Sequence, residues 1–259
     1  MSQSEITVYP LKNHGDVYLA GVHGAGGMLF FGKMARLMGD GIAFHAMQLK
    51  GSDGPEKDFN AVDLETLADM MADEIIRRHE GRPIYVCGRF GPIILETGKK
   101  LWEKNCPATA LMVLDTAAPL YQEPAPSSLL RKTLIKPIRT MLRIPEHIGL
   151  SLWAKQKLGI VKPQPPNGRA FARMNGMFTQ SYIPKPYDGL IWLIRSENFI
   201  DRKSKERHIP GWEKLSGELR VHHTAGTHYT MWQQENLVHL IGTMRTIMQN
   251  QGELPEKQV

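Results

Sequence analysis

Val86-Cys87-Gly88-Arg89-Phe90-Gly91-Pro92 is the stretch on which the reading of the chain turns. Residues 83–87 before it form a short apolar run of strand character. After it, Pro92 suits the first turn of a helix, where its missing N–H costs nothing. Ile93, Ile94, Leu95, Leu101 and Trp102 supply that helix with an apolar face. The glycines on either side let a strand pass sharply into a helix. The segment predicts a strand–turn–helix unit with Arg89 and Phe90 in the turn.

The same unit recurs on both sides. Val17–Val22 is an apolar run ending in the glycine loop His23-Gly24-Ala25-Gly26-Gly27, and Phe30, Phe31, Met34, Leu37 and Met38 follow at helical spacing. Ile42–Leu49 reads as a strand. Leu64, Leu67, Met70, Met71, Ile75 and Ile76 mark an amphipathic helix that begins near Asp63 as cap and ends near Gly81. Residues 108–114 form another strand, closed by Asp115. Strands alternating with helices predict an α/β fold. Its sheet is mostly parallel with right-handed crossovers and helices on both faces, and its function lies at the carboxyl ends of the strands. The loops 23–27, 88–92 and 115–121 meet there. From about 119 to 186 the alternation stops, and Pro, Lys, Arg, Met and long apolar side chains predict a helical lid insertion. Residues 189–194 and 219–222 restore the strand pattern and 226–228 form a loop. Leu237, Leu240, Ile241, Met244 and Ile247 form a closing helix that ends by Gly252. Residues 1–259 thus read as a single domain carrying one insertion.

Composition narrows the function. A chain of 259 residues with 42% hydrophobic and 22% charged content suits one globular domain with a large core. Residues 1–10 are polar and mixed in charge, and no apolar run approaches the roughly 18 residues a membrane span requires. A cytoplasmic protein without a membrane partner is expected. The two cysteines cannot staple a fold of this size, and Cys87 lies in a strand pattern where a buried, reduced thiol is the natural reading. The net charge of +6 is concentrated in Arg131, Lys132, Lys136, Arg139, Arg143 and residues 202–208, which predicts an anionic partner. No zinc spacing, helix-turn-helix signature or ribonucleoprotein motif is present, so an acidic protein is expected rather than nucleic acid. Neither a metal nor a cofactor is expected.

Four motifs together resemble the thioesterase domains and free-standing thioesterases of polyketide and nonribosomal peptide assembly lines, a family with the α/β-hydrolase fold, and the likeness runs over nearly the whole length. Val22-His23-Gly24-Ala25-Gly26-Gly27 is similar to that family's V-H-P-A-G-G. Residues 87–92 match the flanks of its A-G-W-S-F-G-G elbow, and Val113-Leu114-Asp115 matches its L-L-D. Gly226-Thr227-His228-Tyr229-Thr230-Met231-Trp232 closely matches its G-x-H-F-T-M-L. The resemblance implies that Asp115 and His228 are the acid and histidine of a triad in the chain order Ser, Asp, His. It places Asp201 as the alternative acid and the amides of Ala25 and Phe90 as the oxyanion hole. It also implies an acyl or peptidyl carrier protein that delivers substrate on a phosphopantetheine arm, and the basic segment 131–143 suits that docking. The length and apolar character of the lid imply a bulky, apolar substrate.

The serine itself is missing. Matching both flanks of the elbow deletes it; sliding the turn by one residue puts Arg89 in its place. A guanidinium is permanently protonated and cannot attack a carbonyl, although its planar fork can hold an oxyanion, a carboxylate or an enolate. Cys87 is the alternative nucleophile, but it precedes the turn, where its side chain should point into the sheet layers. Three functions stay open. In the first, His228 and Asp115 act as a general base on a thioester without an acyl-enzyme, with Arg89 stabilising charge, and the product is cyclised, eliminated, isomerised or hydrolysed. The second is a non-catalytic protein that binds an acyl chain or carrier protein. The third is a thioesterase or cyclase with an unrecognised nucleophile.

Overall fold

In a computed structural model, residues 6–22, 28–52, 62–119, 178, 182–197 and 209–250 are described. They form one seven-stranded sheet: β1 (Ile6–Lys12), β2 (Val17–Val22), β3 (Ile42–Leu49), β4 (Ile84–Gly88), β5 (Ala110–Leu114), β6 (Tyr187–Ser196) and β7 (Ser216–Thr224). The helices that flank it are α1 (Met28–Leu37), α2 (Leu64–His79), α3 (Gly91–Glu103) and α4 (Gln234–Gln249). Strand order is β1-β3-β2-β4-β5-β6-β7, parallel throughout except for β1, which pairs antiparallel with β3. The expected lid, apart from its two ends, lies outside the described residues, as do residues 131–143 and 202–208.

Period-2 alternation in the central strands divides the core in two. Ile84 and Val86 of β4 and Leu111 and Val113 of β5 pack with α2 and α3 on one face. Tyr85, Cys87, Ala110, Met112 and Leu114 pack on the other face with Phe31 and Met34 of α1, Met38 just after it, and Leu240, Ile241 and Met244 of α4. Both faces of β4 and β5 are therefore fully buried, which is why these strands read as continuous apolar runs. Asp63 caps α2 as expected, its carboxylate accepting the Thr66 N–H at 2.8 Å. Glu80 then turns left-handed and ends the helix, just before Gly81.

Two readings need correction. β1 falls where no strand was expected, although Ile6, Thr7, Val8 and Tyr9 are all β-favouring residues. It is an antiparallel edge strand with a register shift between Pro10 and Lys12 and no fully buried residue, so it needs no apolar run. Trp102 is 47% exposed rather than part of the apolar face of α3. Its ring meets Tyr187 edge-on at 6.0 Å, at the rim of the core.

The chain moves from β2 outward to β3, then returns to place β4 on the other side of β2. The reversal leaves a crevice at the carboxyl ends of β2 and β4, the usual place for a ligand in an open α/β sheet. The turn at 88–91 stands at its edge.

Candidate active site

Gly88 and Gly91 are required by close approach. A Cβ on Gly88 would lie 2.4 Å from the Val22 carbonyl oxygen, and one on Gly91 would lie 2.8 Å from the Trp212 ring. The turn is thereby pressed against β2 on one side. On the other, Trp212, which is wholly buried, donates its indole N–H to the Thr116 carbonyl at 3.1 Å and so ties the turn to the loop after β5. Between the glycines, Phe90 is the N-cap of α3 in extended conformation (φ −119°, ψ 96°), with no side-chain capping bond. Neither Arg89 nor Phe90 has positive φ, so the turn lacks the backbone strain of a nucleophile elbow.

Arg89 is half-buried, with its guanidinium stacked 4.2 Å from the centre of the Trp232 ring. Burial lowers its pKa, and the charge of Asp115 opposes that shift. Among the described residues the guanidinium has no hydrogen bond or ion pair. Cys87 lies one step earlier with its thiol in the buried layer between sheet, α1 and α4, and burial drives its pKa well up. It is a core residue with little thiolate character.

Asp115 ends β5 in a left-handed conformation (φ 47°), uncommon for a residue other than glycine and tolerated best by Asp and Asn. Its N–H donates to the Ile194 carbonyl at 2.8 Å, which locks the turn to β6. The carboxylate is buried and fully engaged. The Ser196 N–H donates to Oδ1 at 3.0 Å, and the Ser196 hydroxyl lies 3.2 and 3.1 Å from Oδ1 and Oδ2. His228 Nδ1 is 2.8 Å from Oδ2. Arg195, also buried, has its pKa lowered by burial and held up by the Asp115 charge, so a second cation offsets the carboxylate.

His228 sits in a stapled loop. The Thr227 N–H donates to Thr230 Oγ1 at 2.8 Å, the Met231 N–H donates to the Thr227 carbonyl at 2.9 Å, and Met231 is buried in the α1–α4 layer. The Trp232 indole N–H donates to the His228 carbonyl at 2.7 Å. With Nδ1 on Asp115, the imidazole is 45% exposed, and Nε2 has no hydrogen bond among the described residues. That arrangement orients one nitrogen and leaves the other to exchange a proton.

The structure thus brings together Asp115, His228 and Arg89, the last two sharing Trp232 as a common support. Phe90 lies at the same turn. Ala25 and Asp201 lie outside the described residues. Sequence reading missed Ser196, Trp212 and the role of Trp232. Ser196 carries no motif of its own; the signal available was its place just past the apolar run 190–194, level with the strand-end Asp115 in a parallel sheet.

A profile of the thioesterase-domain family matches residues 19–248. No curated protein matches in sequence. Among solved structures, the wild-type Vlm2 thioesterase domain superposes with a TM-score of 0.61 at 17% identity, covering 93% of this chain and 97% of that one. A covalent complex of the NocB thioesterase domain with a fluorophosphonate nocardicin G analogue gives 0.63 at 19%, over 93% and 97%. The RedJ thioesterase of the prodiginine pathway of Streptomyces coelicolor gives 0.59 at 19%, over 90% and 85%. At these identities the likeness is one of fold.

Proposed function

Because the chain belongs to the thioesterase-domain family and has its α/β-hydrolase fold, we propose that it acts on an acyl or peptidyl thioester of polyketide or nonribosomal peptide biosynthesis by general-base catalysis, without a serine acyl-enzyme. The observation that carries this reading is the 2.8 Å contact between His228 Nδ1 and a buried Asp115 held by Ser196, set beside a turn that offers an arginine and no hydroxyl. His228 Nε2 takes a proton from a substrate hydroxyl, amine, acidic carbon or water, while Asp115 fixes the tautomer and stabilises the imidazolium. Arg89 faces the charge that develops on the thioester oxygen or enolate, with the Ala25 and Phe90 amides as further donors. Cyclisation, elimination, isomerisation or hydrolysis follows according to which group loses the proton. Residues 119–186 serve as a lid over a bulky apolar chain, and an acidic carrier protein in the cytoplasm delivers it. Among the described residues no helix is long and apolar enough to cross a membrane.

The test is intact-protein mass spectrometry with a fluorophosphonate and with an acyl thioester, alongside product analysis for wild type and His228→Ala. The expected result is no covalent adduct and a product whose rate falls by about 10²–10⁴ in His228→Ala. A stoichiometric adduct would reveal a nucleophile and overturn the reading. Absence of product from every thioester would make the protein a binder of acyl chains or carriers, the reading that the missing nucleophile favours next.

A further inference from the structure

Arg89 and Trp232, far apart in the chain, meet at the site with the guanidinium 4.2 Å from the centre of the indole ring. The same indole donates its N–H to the His228 carbonyl at 2.7 Å. One side chain thus touches both the arginine of the turn and the backbone of the histidine, through different atoms. An aliphatic residue at 232 could do neither, since a cation needs a π face and a carbonyl needs a donor.

The indole is itself held from the core. Phe30 meets it edge-on at 4.7 Å, Phe30 packs on Phe31 at 5.4 Å, and Phe31 meets Phe44 of β3 edge-on at 5.7 Å. Phe31, Phe44 and the preceding residue Met231 are wholly buried. In a close-packed layer the ring cannot swing unless this aromatic series repacks, so the two groups that lean on it inherit its position. Arg89 needs such a support. Its stem is long and flexible, and stacking fixes the plane of the guanidinium while leaving the N–H groups in that plane outside the contact.

We infer that Trp232 is a positioning residue that couples Arg89 to His228: the ring face places the guanidinium, the N–H places the histidine loop, and neither keeps its place without the indole. For its effect on rate the inference rests on the thioester reading of the site; the coupling itself needs no substrate. Arg89 is then not an isolated occupant of the turn but half of a pair, and removing its support should cost nearly what removing Arg89 itself costs.

Two measurements on the full chain test this. Nuclear magnetic resonance follows the titration of the His228 imidazole, assigned by its loss in His228→Ala, in wild type, Arg89→Met, Trp232→Leu and the double variant. The charges of Asp115 and Arg195 are common to the four. Loss of a neighbouring cation favours the imidazolium, so Arg89→Met is expected to raise the midpoint in wild type, and by less than about half as much in Trp232→Leu, where the guanidinium is already released. An equal rise in both backgrounds, or none in wild type, overturns the inference. Should Trp232→Leu fail to fold by circular dichroism, Trp232→Met replaces it. The second measurement compares kcat on an acyl thioester for Trp232→Phe, which keeps a ring face without the N–H, and Trp232→Leu, which keeps neither. With Arg89 present the leucine variant should be about tenfold slower than the phenylalanine variant, and in Arg89→Met the two should agree within about twofold. A difference that persists without Arg89 marks Trp232 as a structural residue only and overturns the inference. Coupled titrations without turnover of any thioester would instead overturn the catalytic reading and leave the coupling standing.

Discussion

The turn at residues 88–91 and the corner formed by Asp115, Ser196 and His228 stand at the ends of neighbouring parallel strands, yet they are built on opposite terms. In the corner a non-glycine residue is held at φ 47°, its buried carboxylate takes bonds from a backbone amide and a hydroxyl, and a histidine is fixed on it at 2.8 Å. Strain of that kind costs on the order of 1–3 kcal/mol and persists only where surrounding bonds over-determine it. The turn holds no such residue. Its two glycines are pinned by β2 and Trp212, and between them an arginine lies stacked on Trp232. The contrast teaches that the equipment for moving a proton and the equipment for accepting an acyl group are separable. Here the corner combines a strained backbone with a fully bonded carboxylate and a histidine, whereas the turn has neither strain nor a hydroxyl.

The comparison breaks most sharply if the turn can be rebuilt by length alone. Inserting one serine between Arg89 and Phe90 makes Gly-Arg-Ser-Phe-Gly, which restores the five-residue elbow. The expected outcome is a change from no fluorophosphonate adduct to a stoichiometric one on intact-protein mass spectrometry, because the histidine and acid already stand in place. Arg89→Ser keeps the short turn and should give no adduct. An adduct in the substitution but not in the insertion would show that the turn tolerates a nucleophile without the extra residue, and that its relaxed backbone is incidental.

A smaller effect tests the corner. Ser196→Ala removes the hydroxyl from the Asp115 carboxylate while the Ser196 amide and His228 remain. The unfolding free energy should fall by about 1–2 kcal/mol, since a buried charged acceptor loses one donor. Turnover should fall about tenfold through kcat with KM unchanged, as befits a residue that positions Asp115 rather than touching substrate. Unchanged kcat would mean that the left-handed backbone alone fixes the carboxylate, and that the corner is more redundantly built than its bonds imply.

How far these two regions could be read from sequence follows from what each demands of its residues. The central strands were legible because both faces of the sheet are covered, so residues such as Tyr85, Val86 and Cys87 must all be apolar. The Asp63 cap was legible because its chemistry is local. Asp115 and His228 were legible because each ends a strand or opens a loop inside a recognisable motif. Ser196 was not, because its partner is 81 residues away, and a serine after a strand is ordinary in itself. β1 was obscured: Ile6, Thr7, Val8 and Tyr9 favour a strand, but the polar residues before them and Pro10 among them break up the run, as suits a short edge strand. Trp232 looked like motif filling, whereas its ring supports Arg89 and its N–H holds the His228 carbonyl.

The least of the expected effects decides whether the corner's proton chemistry can be measured at all. A pH–rate profile reports the base only where the fold itself is insensitive to pH. His45, buried in β3 with Nδ1 3.2 Å from the Tyr18 hydroxyl, works against that condition. Burial, aided by the Arg78 and Arg82 charges and partly opposed by Glu80, holds its pKa below the ordinary 6.5. Below that value the unfolded chain binds a proton that the folded chain refuses. Stability is therefore complete above about pH 6.5 and declines as pH falls, by at most about 1.4 kcal/mol per pH unit for this one group. Urea unfolding between pH 7.5 and 5 should show this slope in wild type and a flatter one in His45→Gln, whatever the variant's absolute stability. If the slopes coincide, the acid loss of stability arises at groups other than His45. If they differ, His45→Gln is the background in which the pH dependence of turnover reports the site rather than the fold.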